Sequence, residues 1–320
     1  MSSPVSGTPE GSKAKLALAF AAVYIVWGST YLAIRFAVAT IPPYLMGGTR
    51  FILSGVILYA WARWRGAPRP ARREWRDAAV VGTLLLAGGN GAVSWAEQRV
   101  PSGVTALLVA SVPMWMVLID WARPHGKRPS LPVAIGLLVG LAGVAVLAAP
   151  GFTGGARSAL GVGAVVLILG SIAWAAGSIY SRQGARPRSA EMSTALQMIT
   201  GSVALLTIGI AAGELPDLRL AAVSTKSFLG WLYLVTFGSL VGFTAYAYLL
   251  RETTPAKATT YAYVNPIVAV LLGWAFANEA ITMRTIVAAG IILASVAMIS
   301  LAGSSRGAAE HSAQVTNDGD

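Results

Sequence analysis

Few of the 320 residues carry side chains that do chemistry. Cysteine is absent, which removes disulfides and thiolate metal sites. The two histidines, His125 and His311, fall outside the long apolar runs that dominate the chain. No pair of carboxylates sits at helix spacing inside one run. Gly88-Gly89-Asn90-Gly91 lacks the strand and the lysine of a phosphate-binding loop and reads as a pliable stretch of helix. The expectation is no catalytic residue, no metal and no cofactor. What remains is a sparse set of charges and hydrogen-bonding groups inside apolar sequence. Arg50 lies within a run, where a charge costs about 3 kcal/mol unless it snorkels, pairs or faces water. Pairing with Glu97 is the bland solution, and contact with a solute carboxylate is the functional one. Glu97 and Glu252 each stand shortly before a proline that opens the next run. They suit helix-end capping and gate salt bridges or, if desolvated, carriage of a proton. Asn90, Ser94, Ser178, Tyr246, Tyr261, Tyr263 and Asn265 supply amides and hydroxyls at apolar depth, as interhelical contacts and polar pockets both require. Trp27, Trp95 and Trp174 can wall such a pocket or stack on a cation, although Trp95 also suits an interfacial belt.

The elements that position these residues follow from composition. The chain is 55% hydrophobic and only 12% charged, too little charge to cover a water-facing surface. About 20 residues of helix cross the hydrocarbon layer of a bilayer. That ruler places spans at 16–37, 44–63, 78–96, 102–121, 131–149, 159–180, 191–212, 228–250, 256–276 and 285–303. Runs such as LPVAIGLLVGLAGVAVLAA are apolar on consecutive positions, which excludes the alternation of a barrel. The expected class is an all-α polytopic membrane protein with ten transmembrane helices. Segments 1–15 and 304–320 read as disordered cytoplasmic termini. The net charge of +11 comes from basic residues concentrated in alternate short links, including the 63–77 link and the link with Arg182, Arg186 and Arg188. That placement puts both termini in the cytoplasm and argues against nucleic acid. The expected partners are the lipid bilayer and a small-molecule substrate. Gly136, Gly140 and Gly143 are packing residues that leave a homodimer through the fifth or tenth helix open.

The two halves repeat. Trp27 and Trp174 align, Arg50 meets Gln197 at the same offset, and the fourth and ninth spans share a leading proline (Pro101, Pro255) and a second one near mid-span (Pro113, Pro266). Five helices per half invert the second copy relative to the first, which is the basis of alternating access. The second proline lies about 16 Å into its helix, near the membrane midplane, where it bends or opens the helix beside a cavity. Transport is the leading reading. An intramembrane enzyme and a non-transporting scaffold are the alternatives, and both predict no net movement of an unmodified solute.

The segments YIVWGSTYLAIRFAV, PPYLMGGTRF, WAEQRVPSGVTALLVASVPMW, SIAWAAGSIYSR and RETTPAKATTYAYVNPIVAVLLGW, in that order, resemble the EamA-domain transporters of the drug/metabolite transporter superfamily. The resemblance covers about residues 16 to 303. It implies two inverted five-helix EamA repeats, 16–150 and 156–303, in the inner membrane, with a central cavity formed by the first, third, fourth, sixth, eighth and ninth helices. It further implies export of amino acids, other small metabolites or drug-like solutes. By position it carries site roles to Trp27, Gly28, Ser29, Tyr31, Arg50, Trp95, Glu97, Pro113, Trp174, Ser178, Tyr261, Asn265 and Pro266. Gln197 in place of a second arginine departs from symmetry.

Overall fold

The computed structural model describes residues 10–124, 126, 128–153, 159–253 and 260–317. Eight helices are long and apolar enough to cross a membrane: α1 (Ala14–Ala37), α2 (Pro43–Trp64), α3 (Arg72–Ala96), α4 (Ser102–Ala122), α5 (Leu131–Ala149), α6 (Gly161–Ser181), α7 (Ala190–Ala211) and α8 (Thr225–Tyr246). Two shorter apolar helices follow, α9 (Tyr261–Ala277) and α10 (Met283–Ile299). No strand occurs among the described residues. Helices alone satisfy every backbone group within the segment, which long lipid-facing apolar runs require. Leu138, Leu169, Trp274 and Phe276 accordingly stand exposed on the outside, while Ser54, Ser171, Ser202 and Ser239 are buried.

Local chemistry sets the helix ends. Pro43 opens α2, where its missing N–H has no intrahelical partner to lose. Ser189 and Ser224 cap α7 and α8 by accepting from the backbone N–H of Met192 and Ser227. Gly66 and Gly213 follow α2 and α7 with positive φ, and Asn278 closes α9 in the left-handed region at φ 52°.

Several expectations meet a different outcome. The 63–77 link is shorter than its basic content suggested, because RREWRD already forms the first turns of α3, with Glu74 accepting from the Ala71 N–H. Of the terminal segments, 1–9 and 318–320 lie outside the described residues, and the helical backbone otherwise reaches back to Glu10 and on to Asn317. Pro255 and His125 also lie outside the described residues. The two mid-span prolines behave differently. At Pro113 the helix is interrupted, with a turn at 110–111 between Ser102–Val109 and Val112–Ala122. Pro266 sits inside an unbroken helix, early enough that its ring disturbs only the opening turns.

Three helices contain wide π-helical stretches: Val23–Trp27 in α1, Thr83–Asn90 in α3 and Leu234–Val241 in α8. Such stretches loosen the regular backbone ladder and are frequent at functional sites. The helices then pack in pairs. α1 lies against α8 and α9, α6 against α3 and α4, α2 against α7 and α8, α7 against α3, α4 against α9, and α5 against α10. Glycines set the closest approaches. A methyl at Gly82 of α3 would lie 2.4 Å from the Gln197 carbonyl oxygen of α7, and one at Gly201 would lie 2.5 Å from the Gly82 oxygen. The Gly136/Gly140/Gly143 face of α5 is covered by Ser295, Ile299 and Ile292 of α10, so this stripe is used within the chain.

Candidate functional site

The π-helical stretch of α8 gathers the largest polar and aromatic cluster. Trp27 of α1 donates its Nε1–H to the Gly238 carbonyl at 3.2 Å. Its ring meets Phe243, Tyr246 and Tyr261 at centroid distances of 5.2, 5.1 and 5.0 Å, the last nearly perpendicular at 86°. Tyr246 and Tyr261 are themselves edge to face at 5.5 Å, a favoured arrangement of ring quadrupoles. The indole fits because residue 242 is glycine: a methyl there would lie 2.3 Å from Nε1. Asn265 closes the far side. In the amide orientation that satisfies its surroundings, its nitrogen donates to the carbonyls of Tyr261 and Tyr24 at 3.2 and 3.3 Å.

Arg50 reaches the same α8 stretch from α2. It is buried, its Nε–H donates to Ser239 Oγ at 3.0 Å, and its guanidinium lies 4.5 Å from the Phe51 ring centre. Its Nη2 occupies the space that a side chain at Gly238 would take. The expected pairing with Glu97 is not made. Among the described residues Arg50 has no carboxylate within ion-pair distance, because its side chain turns into the α2–α8 interface. A buried cation left with one neutral hydrogen bond and an aromatic face has the chemistry to accept an anion.

Across the bundle a second tryptophan repeats the pattern. Trp174 of α6 packs over Gly89 in the π-helical stretch of α3, where a methyl would lie 2.5 Å from its Cε3. Ser178 bonds only back to the Trp174 carbonyl at 2.8 Å, and Asn90 ends the α3 stretch. Ser29 meets Tyr233 at 2.7 Å, between α1 and α8. Pro113 belongs to the α4 break, with Trp115 donating to Ser111, and stands apart from the Trp27 cluster.

The remaining site residues lie at the bundle end where α3 gives way to α4. Tyr31 and Trp95 pack against the main hydrophobic core there, and Arg99 folds over the Trp95 ring at 4.1 Å. The residue that organises this end is Glu279, which the sequence reading missed. Its Oε1 accepts from the Ser102 backbone N–H and hydroxyl, both at 2.8 Å, and from Arg35 Nη1 at 3.0 Å. Its Oε2 accepts from the Gly103 N–H at 3.0 Å. A carboxylate on a helix N-terminus and an arginine is doubly favoured. Glu97, by contrast, is 3% exposed and neither carboxylate oxygen has a hydrogen-bond partner. Burial holds its carboxyl well above the ordinary carboxylate range; the Glu279 charge adds to that, and the charge and nearby backbone N–H of Arg35 oppose it. The suggested likeness to Glu252 does not hold, since Glu252 is exposed. At the opposite end Asp77 accepts from Ala185 N–H at 2.8 Å, Tyr180 Oη at 3.2 Å and Arg76 Nε at 2.9 Å, tying α3 to the α6–α7 link.

Apolar helices on the outside and polar, aromatic and charged groups gathered within define a polytopic membrane protein. The chain belongs to the EamA-like transporter family, whose model matches it twice, over residues 14–149 and 161–301. It is 40% identical over 282 residues to the uncharacterized inner membrane transporter YedA of Escherichia coli K12, covering 88% of this chain and 89% of that protein. It is 28% identical to the uncharacterized transporter YvbV of Bacillus subtilis, covering 90% and 92%, and 25% identical to the protein PecM of Dickeya dadantii, covering 86% and 88%. A solved crystal structure at 20% identity shares the fold with a TM-score of 0.62, over 90% of this chain and 98% of that one.

Proposed function

We propose that the chain is a secondary transporter of the cytoplasmic membrane that moves a small metabolite outward by alternating access. In this reading all ten apolar helices span, both termini are cytoplasmic, and α1–α5 and α6–α10 are inverted repeats. The observation that carries it is the reciprocal packing of the halves. Exchanging α1 with α6, α2 with α7, α3 with α8, α4 with α9 and α5 with α10 returns the helix pairings named above unchanged, whereas the α5–α6 and α1–α4 contacts have no counterpart of similar extent. Within that exchange Trp27 packs on Gly242 at the end of the α8 π-helical stretch as Trp174 packs on Gly89 in that of α3. Two halves that pack through equivalent contacts can trade conformations, which opens one side as the other closes. The basic links then put the Asp77 end in the cytoplasm and the Glu279 end outside.

The solute sits between the Trp27–Tyr246–Tyr261 wall and Arg50, which suits a molecule with a carboxylate and a flat apolar or cationic part. Among the described residues no acid–base pair stands beside a nucleophile, which favours a carrier over an enzyme. Counterflow in proteoliposomes tests this, using amino acids, sugars, nucleosides and cationic drugs with and without a pH gradient. Accumulation of an unmodified solute is expected. A chemically altered product, or no flux for any class from folded protein, refutes the reading. Cysteines placed at Arg69 and Arg186 are expected to react from the same side.

A further inference from the structure

Glu97 is a buried acid that the path through Trp27 and Arg50 does not use. It lies at the C-terminal end of α3, where the helix dipole disfavours a negative charge. The charges acting on it are one cation, Arg35, and one acid, Glu279. Arg35 of α1 is committed to Glu279, which also takes the N-terminus of α4, so the charge and the N–H groups that would stabilise a second carboxylate are already used. The other titratable groups at this end do not replace them. Tyr31 faces Glu97 from α1 without hydrogen-bonding to it, and Arg99 turns away over Trp95 and donates to the Trp95 carbonyl and Gln98. From the α7–α8 link, Glu214 accepts from the N–H groups of Tyr44 and Leu45 at the start of α2. An unpaired ionised carboxylate is too costly to keep in such a place, so the group takes a proton instead.

We propose that Glu97 is a proton-binding site coupled to this end of the bundle: it holds a proton while α1, α4 and α9 are drawn together by Glu279, and releases it when they part. On closure, a hydronium ion from the aqueous phase gives its proton to the carboxylate, leaving a water molecule and the neutral acid. On opening, the O–H bond breaks and the proton leaves to water, with no oxidant or further reactant involved. The raised affinity for the proton in the closed form matches the burial and the neighbouring Glu279 charge. Low pH therefore favours the closed end and high pH the open one. The meaning of opening rests on the alternating-access reading, whereas the proton site itself is measured without any solute.

The chain has no cysteine, so pairs of spin labels can be introduced cleanly. The exposed positions Gln98 and Ile281 report on the separation of the α3 end from the α9–α10 link. In full-length protein in nanodiscs, the Q98C/I281C distance is expected to lengthen as pH rises from 5 to 9. In Glu97→Gln the short distance is expected at every pH. Infrared spectra of the parent protein at pH 7 are expected to show a protonated-carboxyl band that Glu97→Gln lacks. A parent protein without that band, or a Gln variant with the same pH-dependent distance change, overturns the proposal. If the Gln variant fails to fold, Glu97→Asp serves, and an unchanged distance midpoint and band then overturn it. Counterflow without proton binding sinks this site and leaves the carrier, and proton binding without flux does the reverse.

Discussion

Glu279→Ala isolates the lock at the α4 end. The side chain is 8% exposed and makes three hydrogen bonds to Ser102 and Gly103 plus the Arg35 ion pair. Loss of the cap on α4 costs about 1 kcal/mol, because Pro101 at the N-cap has no side-chain acceptor to substitute. The charge-assisted contacts add about 2 kcal/mol rather than the full value of a buried pair, since the Arg35 side chain is 33% exposed and rehydrates. A total of about 3 kcal/mol, at 1.4 kcal/mol per decade, is roughly a hundredfold shift toward the open end. Thr105, one turn into α4, is fully buried with an unpartnered hydroxyl, so Thr105→Cys is a mild reporter. Its reaction rate with a membrane-impermeant thiol reagent is expected to rise about a hundredfold in the Glu279→Ala background. Glu279→Gln keeps one acceptor oxygen and is expected to give a smaller rise. Equal rates in folded Glu279→Ala and parent protein refute the assignment of Glu279 as the lock.

Arg50→Gln is expected to abolish flux of a carboxylate solute with unchanged melting, and Arg50→Lys to retain part of it, as counterflow rates will show; full activity in the Gln variant removes Arg50 from the path. Gly242→Val and Gly89→Val, which press on Trp27 and Trp174 at 2.3 and 2.5 Å, are each expected to lose about 1–3 kcal/mol, read as a fall in thermal midpoint in detergent. Asn265→Ala leaves the Tyr261 and Tyr24 carbonyls without their donor and is expected to lower flux while the protein still folds; flux equal to the parent refutes its place in the path. The raised pKa of Glu97 makes stability pH-dependent: its favourable contribution is complete below the ordinary carboxylate pKa of 4.5 and is lost as pH rises through the folded value. Melting midpoints of the parent protein should thus fall with rising pH, and those of Glu97→Gln should fall less.

Particular residues show how far the amino-acid order reaches. Spans follow from hydropathy, because each apolar run must become a helix whatever its neighbours are. The sites around Trp27, Tyr246, Tyr261 and Asn265 were also legible, since polar groups at apolar depth are expensive enough to stand out. Arg50 and Glu97 were matched by depth alone, and depth does not say which way a side chain turns around its helix. Arg50 turns to Ser239 on α8 and leaves Glu97 behind. Glu279 was missed for a related reason: the helix it caps begins far away in the chain, and a cap is recognised locally only when the acceptor is adjacent. The π-helical stretches were foreshadowed only by the pliable glycines 88–91. Nothing comparable marks 234–241, where accommodation of Trp27 against Gly238 and Gly242 accompanies the altered ladder.

The two buried charges that sequence reasoning paired explain more when kept apart. An Arg50–Glu97 salt bridge would be electrically complete and would leave nothing for a solute to neutralise. In the proposed transport cycle the separated Arg50 carries a positive charge that an incoming anion balances, while Glu97 avoids negative charge by holding a proton beside an already satisfied Glu279. A carboxylate solute then enters a site whose desolvation penalty has been met by the fold. Opening at the Glu279 end hydrates both the solute's surroundings and Glu97, weakening the grip on the anion as the proton departs. One structural event thereby lowers affinity for two ligands, and that shared dependence is what links a solute to a proton without the two ever touching.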